Sequence, residues 1–245
     1  MNKTLIAAAI LNLVSFTAQS AGTVEVHQAG VAKPLTLTNA ERLADLVGQP
    51  RLAGSWWTGA VIATPQATVK AEREHQALLA QLSALAAEED GSTAGAINAL
   101  RHQLQAMPVT GRLLTPLDPD VVRVHSENNP PLQGNYTLWL GQQPSTITLM
   151  GLVDKPGKMA FTPGRDVASY LENINLLSGA DRSFAWIVYP DGRTQKAPVA
   201  YWNKRHVEPM PGSIVFVGFA DALWTNKYEA LNAAILRSLT QRRPE

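Results

Sequence analysis

Apolar and polar residues alternate over Thr23-Val24-Glu25-Val26-His27, and the alternation resumes at Leu35-Thr36-Leu37, beyond Gly30 and Pro34. Spacing of period two predicts two short strands joined by a turn. Leu43, Leu46 and Val47 return at helical spacing, which predicts a short helix capped by Thr38 or Asn39 and closed by Gly48. Trp56 to Ile62, rich in aromatic and β-branched residues, predicts a further strand. The pattern then changes. Thr64 is a capping residue, and Pro65 suits the first helical position, where its missing N–H costs nothing. Leu78, Leu82, Leu85 and Ala86 mark one apolar face; Asp90-Gly91-Ser92 breaks the run, with Ser92 as the next cap. Ile97, Leu100, Leu104 and Met107 mark a second helix that ends at Pro108. Each helix is apolar on one side only. The segment 65–107 is therefore predicted to be a helical hairpin packed on itself and on the body, a structural elaboration rather than a coiled-coil arm.

Strand-like patterning returns at Leu113-Leu114, Val121 to Val124, Tyr136 to Leu140 and Ile147 to Val153. Residues 166–177 predict a helix with Val167, Tyr170 and Leu171 inward. Phe184 to Tyr189 and Thr194 to Tyr201 predict a hairpin turning on Pro190-Asp191-Gly192. The continuous apolar run Ile214-Val215-Phe216-Val217 predicts a central, buried strand. At the end, Trp224, Tyr228, Leu231, Ile235 and Leu239 form an amphipathic helical stripe, with Arg237, Arg242 and Arg243 placed to complement the helix dipole. Such a stripe either docks on the protein's own core or offers Trp224, Tyr228, Leu231 and Ile235 to a partner.

The first twenty residues carry a different signal. Lys3 precedes an apolar stretch from Leu5 to Val14, and Ala18-Gln19-Ser20 puts small residues where a signal peptidase reads. The stretch is shorter than the ~20 residues needed to span a bilayer. A signal cleaved after Ser20 is the expectation, with a periplasmic location and no membrane span once it is removed. Without Lys3 the chain has 20 basic and 20 acidic side chains, and no dense Lys/Arg run, which argues against nucleic acid as a partner. The absence of Cys excludes disulfides, thiolate nucleophiles and thiolate metal sites. The five His share no ligand-forming spacing, and no phosphate-binding or dinucleotide-binding glycine pattern occurs, so no metal or cofactor is expected.

One cation draws attention. Arg112 follows Gly111, which lets the backbone approach another segment, and a guanidinium there suits two-point contact with a carboxylate or phosphate. Trp56, Trp57, Tyr136 and Trp139 offer flat aromatic faces of the kind used against sugars, although aromatic strand residues also serve as core. An enzymatic alternative pairs Arg112, gripping an acidic sugar, with Asp118 or Asp120 as acid or base.

The segments Gly151-Leu152-Val153-Asp154-Lys155-Pro156-Gly157, Leu177-Ser178-Gly179, Pro190-Asp191-Gly192 and Pro211-Gly212-Ser213-Ile214-Val215-Phe216-Val217, in that order, resemble one soluble-ligand-binding β-grasp module of Wza-type polysaccharide export proteins. Val24 to Leu37, the Leu43 to Val47 helix, and Arg112 to Leu140 resemble a second such module. Two modules, a helical hairpin inside the first and a C-terminal amphipathic helix are similar to the GfcC-like capsule biosynthesis family. Ser213 stands where that pattern commonly has an acidic residue. The resemblance implies an α+β chain: signal peptide 1–20, first β-grasp domain 21–143 with insert 65–107, second β-grasp domain 144–220, and helix 221–245. It also implies a soluble accessory to capsular or extracellular polysaccharide assembly or export. Its partners would be the polysaccharide or the outer-membrane export machinery, and it would act by binding rather than catalysis.

Overall fold

The structure is a computed structural model and describes residues 21–221 and 227–244. It is an α+β fold built on two mixed sheets. The first contains β1 (Gly22–Gln28), β2 (Leu35–Ala40), β3 (Val61–Ala63) and β4 (Asn135–Leu140) in the order β2-β1-β4-β3. β1 pairs antiparallel with β2 and parallel with β4, so Val24 lies beside Tyr136 and Val26 beside Leu138. Val24, Val26 and Leu138 are buried, as their alternation requires. They meet Leu43, Leu46 and Val47 of α1 (Leu43–Val47) and Val122 of α4 (Pro119–Val124) in one core.

The second sheet contains β5 (Thr146–Gly151), β6 (Gly157–Ala160), β7 (Phe184–Val188), β8 (Thr194–Pro198) and β9 (Ile214–Val217), in the order β6-β5-β9-β7-β8. Its plan repeats that of the first. The opening strand pairs antiparallel with the second, a short helix follows (α5, Val167–Leu171), and the closing strand returns parallel beside the opening one. All four residues of β9 are buried, consistent with a strand covered on both faces.

Between β3 and β4 in sequence lie α2 (Pro65–Glu88) and α3 (Gly91–Gln105). Thr64 Oγ1 accepts from Ala67 N at 3.2 Å, capping α2 with Pro65 behind it. Asp90, rather than Ser92, occupies the cap position of α3. Although the hairpin interrupts the first sheet's sequence, its apolar face packs into the second sheet's core. Leu78, Leu82, Ile97, Leu100 and Leu104 join Ile147, Leu149, Val215 and Phe216 there. Gln103 fixes the docking with a paired bond: its Nε2 donates to Gly151 O at 2.9 Å, and its Oε1 accepts from Gly151 N at 2.8 Å.

Several sequence expectations are corrected. Val121 to Val124 is helical because Pro119 and the capping Asp118 start a helix that outweighs the β-branched run. The strand expected over Trp56 to Ile62 is a tight helical turn at Trp57–Gly59 followed by β3. Leu113-Leu114 shrinks to one bridge between Arg112 and Ala63. The helix of residues 166–177 stops at Leu171, and β8 ends at Pro198, leaving Tyr201 in a turn. Helix α1 is entered through Arg42, whose N–H donates to Asp45 at 2.8 Å, not through Thr38 or Asn39, which lie in or beside β2.

Helix α6 spans Glu229–Thr240. Leu231, Ile235 and Leu239 are buried with the second core, each worth about 2 kcal/mol removed from water. His75 Nδ1 and Ser238 Oγ, 2.7 Å apart, tie α2 to α6. Arg242 and Arg243 lie past the helix in a tail, so only Arg237 sits in its last turn.

Candidate functional site

The site begins at Gly111. A β-carbon there would stand 2.0 Å from Ala67 C and 2.2 Å from Thr68 N, so only glycine permits this approach to the first turn of α2. Gly111 N donates to Thr68 Oγ1 at 3.2 Å. The chain then lies against β3, with Leu113 N donating to Ile62 O at 2.8 Å. From the other side the C-terminal tail closes in. Arg112 N donates to Gln241 Oε1 at 2.6 Å, Thr110 N to Gln241 O at 2.8 Å, and Arg243 N to Pro108 O at 2.9 Å. The backbone of Arg112 is held by groups far apart in sequence.

Its side chain is 8% exposed, and Nε is buried without a hydrogen-bond partner. Burial, reinforced by repulsion from Arg242 and opposed by Asp191, pushes the guanidinium down to about 10. The Pro190-Asp191-Gly192 turn makes room for it. Gly192 adopts φ +90°, and a β-carbon there would come 3.1 Å from Arg112 Cδ.

Arg112 opens onto a cleft of about 400 Å³ bounded by β5, β6 and β9 of the second sheet, by loop residues such as Trp56 and Gly141, and by the C-terminal tail. Trp56, Met107, Pro144 and Pro190 supply apolar wall, while Arg112, Lys158, Arg242 and Arg243 supply positive charge. Among the described residues the lining contains no carboxylate and no histidine. Arg242 Nη2 donates to Gly212 O, holding the tail across the cleft. The Arg243 guanidinium lies 4.5 Å from the Trp139 ring centroid, and Trp139 in turn stacks on His27 at 4.0 Å. A second cavity of about 510 Å³ shares Arg112 and is lined by Trp57, Leu114, Asp118, Asp191 and Arg193.

The candidate residues therefore separate. Arg112 and Trp56 meet in the cleft, while Trp57 faces the second cavity. Tyr136 is partly buried against the first core, its Oη accepting from Gln133 N at 3.4 Å. Trp139 reaches the cleft only through Arg243. Asp118 Oδ1 accepts from Asp120 N at 2.9 Å and Val121 N at 3.4 Å, so this carboxylate caps α4 at the wall of the second cavity. Asp120 lines neither cavity, whereas Asp118 shares the second cavity with Arg112. The docking stripe is corrected. Leu231 and Ile235 are covered by core, and the half-buried Tyr228 stacks on Phe219 at 4.9 Å. Trp224 lies outside the described residues.

Sequence reasoning missed Lys158, Arg242 and Arg243. The two arginines carried a signal, a basic pair after the last apolar position, but the helix dipole accounted for it equally well. Together the cations form a positive recess, open to solvent, in which a guanidinium fork can take a carboxylate or phosphate by two parallel bonds.

Two family descriptions match this chain: "Capsule biosynthesis GfcC, N-terminal" over residues 20–143, and "Capsule biosynthesis GfcC C-terminal" over residues 155–244. The chain is also 61% identical over 245 residues to a protein of Escherichia coli (strain K12) described as "Uncharacterized protein YjbG", covering all of both chains. On sequence along nearly its whole length, this chain belongs to the GfcC capsule biosynthesis family.

Proposed function

We propose that this protein is an exported, periplasmic accessory of capsular or extracellular polysaccharide assembly and export, and that it binds an acidic stretch of polymer in the Arg112 cleft without turning it over. The observation that carries the reading is Arg112 itself. A guanidinium 8% exposed, with Nε unpartnered and a second arginine beside it, is only partly compensated by Asp191, and a buried charge ordinarily has fuller pairing. A cleft open to solvent and lined by three further cations lets an outside ligand complete that pairing. Trp56 and the proline-rich wall suit the apolar face of a sugar ring.

The leader of residues 1–20 supports export. The repeated strand order, each sheet with a short helix and a parallel closing strand, supports reading each sheet as a β-grasp module. On that reading the modules span 21–143 and 144–220, with the hairpin and α6 as additions. Binding is favoured over catalysis because, among the described residues, none lining the cleft is a carboxylate or histidine.

The test is complementation of a deletion strain. The wild-type gene restores surface polysaccharide; Arg112→Met, made at equal level, does not, and cytoplasmic precursors are normal in both. Full restoration by Arg112→Met refutes the cleft's role. Turnover of purified polymer by the wild-type protein refutes the non-catalytic part.

A further inference from the structure

The turn after β8 carries an aromatic pair that the cleft does not use. Tyr201 is 99% exposed and Trp202 74%, extreme values for rings that normally cover part of their surface. The turn is firmly built. Asn203 N donates to Ala200 O and Ala200 N to Asn203 Oδ1, both at 3.0 Å, while Asn203 Nδ2 donates to Ser183 O at 3.1 Å. The exposed Lys204 and Arg205 follow directly, with Lys204 also 3.5 Å from Asp166. The anchor residue Ser183 leads into β7, where Phe184 and Trp186 are only partly buried. Lys196 lies over them, 4.2 Å and 5.7 Å from their ring centroids.

This edge of the second sheet thus combines protruding amphipathic rings with flanking cations. A sugar polymer stacks on open ring faces, yet Lys196 already covers Phe184. The two uncovered rings are successive residues of a turn and line neither of the two cavities. A lipid headgroup layer makes the opposite demand: it receives protruding Trp and Tyr side chains and draws Lys and Arg toward anionic phosphates. We infer that the Tyr201–Trp202 turn is a peripheral contact site for an anionic phospholipid surface, with Lys204, Arg205 and Lys196 facing the headgroups. It depends on no residue of the Arg112 cleft.

The test is sedimentation of the exported protein, purified from the periplasm, with vesicles of phosphatidylethanolamine and phosphatidylglycerol, against phosphatidylcholine alone. Mass spectrometry confirms that wild type and variants share the same N-terminus. The joint change Tyr201→Ser and Trp202→Ser is expected to lower partitioning onto anionic vesicles about tenfold. Lys204→Gln and Arg205→Gln are expected to lower it about fivefold each at low salt and little at high salt. Tyr201→Phe with Trp202→Phe retains most of the binding, Arg112→Met retains all of it, and circular dichroism is unchanged throughout. The inference is overturned if the double serine variant binds as wild type, or if the wild type binds neutral and anionic vesicles equally. It is also overturned if the serine changes weaken binding to soluble polygalacturonate and leave vesicle binding intact.

Discussion

Replacing Arg112 by Met separates stability from function. Burial, with Arg242 beside it, holds the guanidinium at about 10, well below the ordinary arginine range. At about 1.4 kcal/mol per unit, burying this cation costs the fold on the order of 3 kcal/mol. A cation whose folded-state pKa lies below its unfolded value weakens the fold wherever both states are protonated. The cost is therefore present at every pH below about 10 and relieved only above it. Met keeps much of the stem's volume and needs no partner, and buried charges replaced by apolar side chains of similar size often give more stable proteins. Arg112→Met is expected to gain about 2 kcal/mol in urea unfolding and about 4–8 °C in Tm, with the gain constant from pH 6 to 9. The same variant should no longer bind acidic oligosaccharide, a stability–function trade-off of the kind binding sites show. A loss of more than about 1 kcal/mol with unchanged circular dichroism would refute the reasoning, because it would mean that Arg112 makes net stabilising contacts inside the protein.

Gly111→Val places a side chain onto the backbone of Ala67 and Thr68; a loss of about 3 kcal/mol in urea unfolding is expected, and a neutral result would contradict the close approach. Burial holds the His75 imidazole below its ordinary range, so the unfolded chain takes up the proton first and stability falls as pH drops below about 6.5. Thermal unfolding from pH 7 to 5 should show this slope in the wild type and a shallower one in His75→Gln. Ser238→Ala, which removes the partner of Nδ1, should cost about 1–2 kcal/mol at pH 7. Asp118→Ala should cost about 1 kcal/mol through the lost cap of α4 and leave oligosaccharide affinity unchanged; abolished function in a folded variant would favour the catalytic alternative.

Local chemistry was legible and long-range assembly was not. Thr64-Pro65 and the Asp90-Gly91 break mark the hairpin because caps and breakers act within one turn, and Ile214 to Val217 reads as central because four apolar residues in a row need cover on both faces. The hairpin's destination is a different matter. It leaves the first sheet in sequence yet finds its apolar cover at Ile147, Leu149 and Phe216, which no periodicity within residues 65–107 announces. Asp118-Pro119 was visible as a helix start, but Val121 to Val124 was weighed on β propensity alone. Arg112 was singled out from its glycine neighbour. The rest of the cleft arises only when Gln241 to Arg243 fold back along residues 108–112. The same fold-back gives Arg242 and Arg243 a task that their place after a helix did not disclose.

Calorimetric titration of the purified protein with a uronic-acid oligosaccharide, set beside a neutral oligosaccharide of the same length, tests the central claim most directly. Saturable binding of the acidic ligand alone, weakened by salt and absent in Arg112→Met, is the predicted result. Equal affinity for both ligands, or undiminished binding by Arg112→Met, would contradict it.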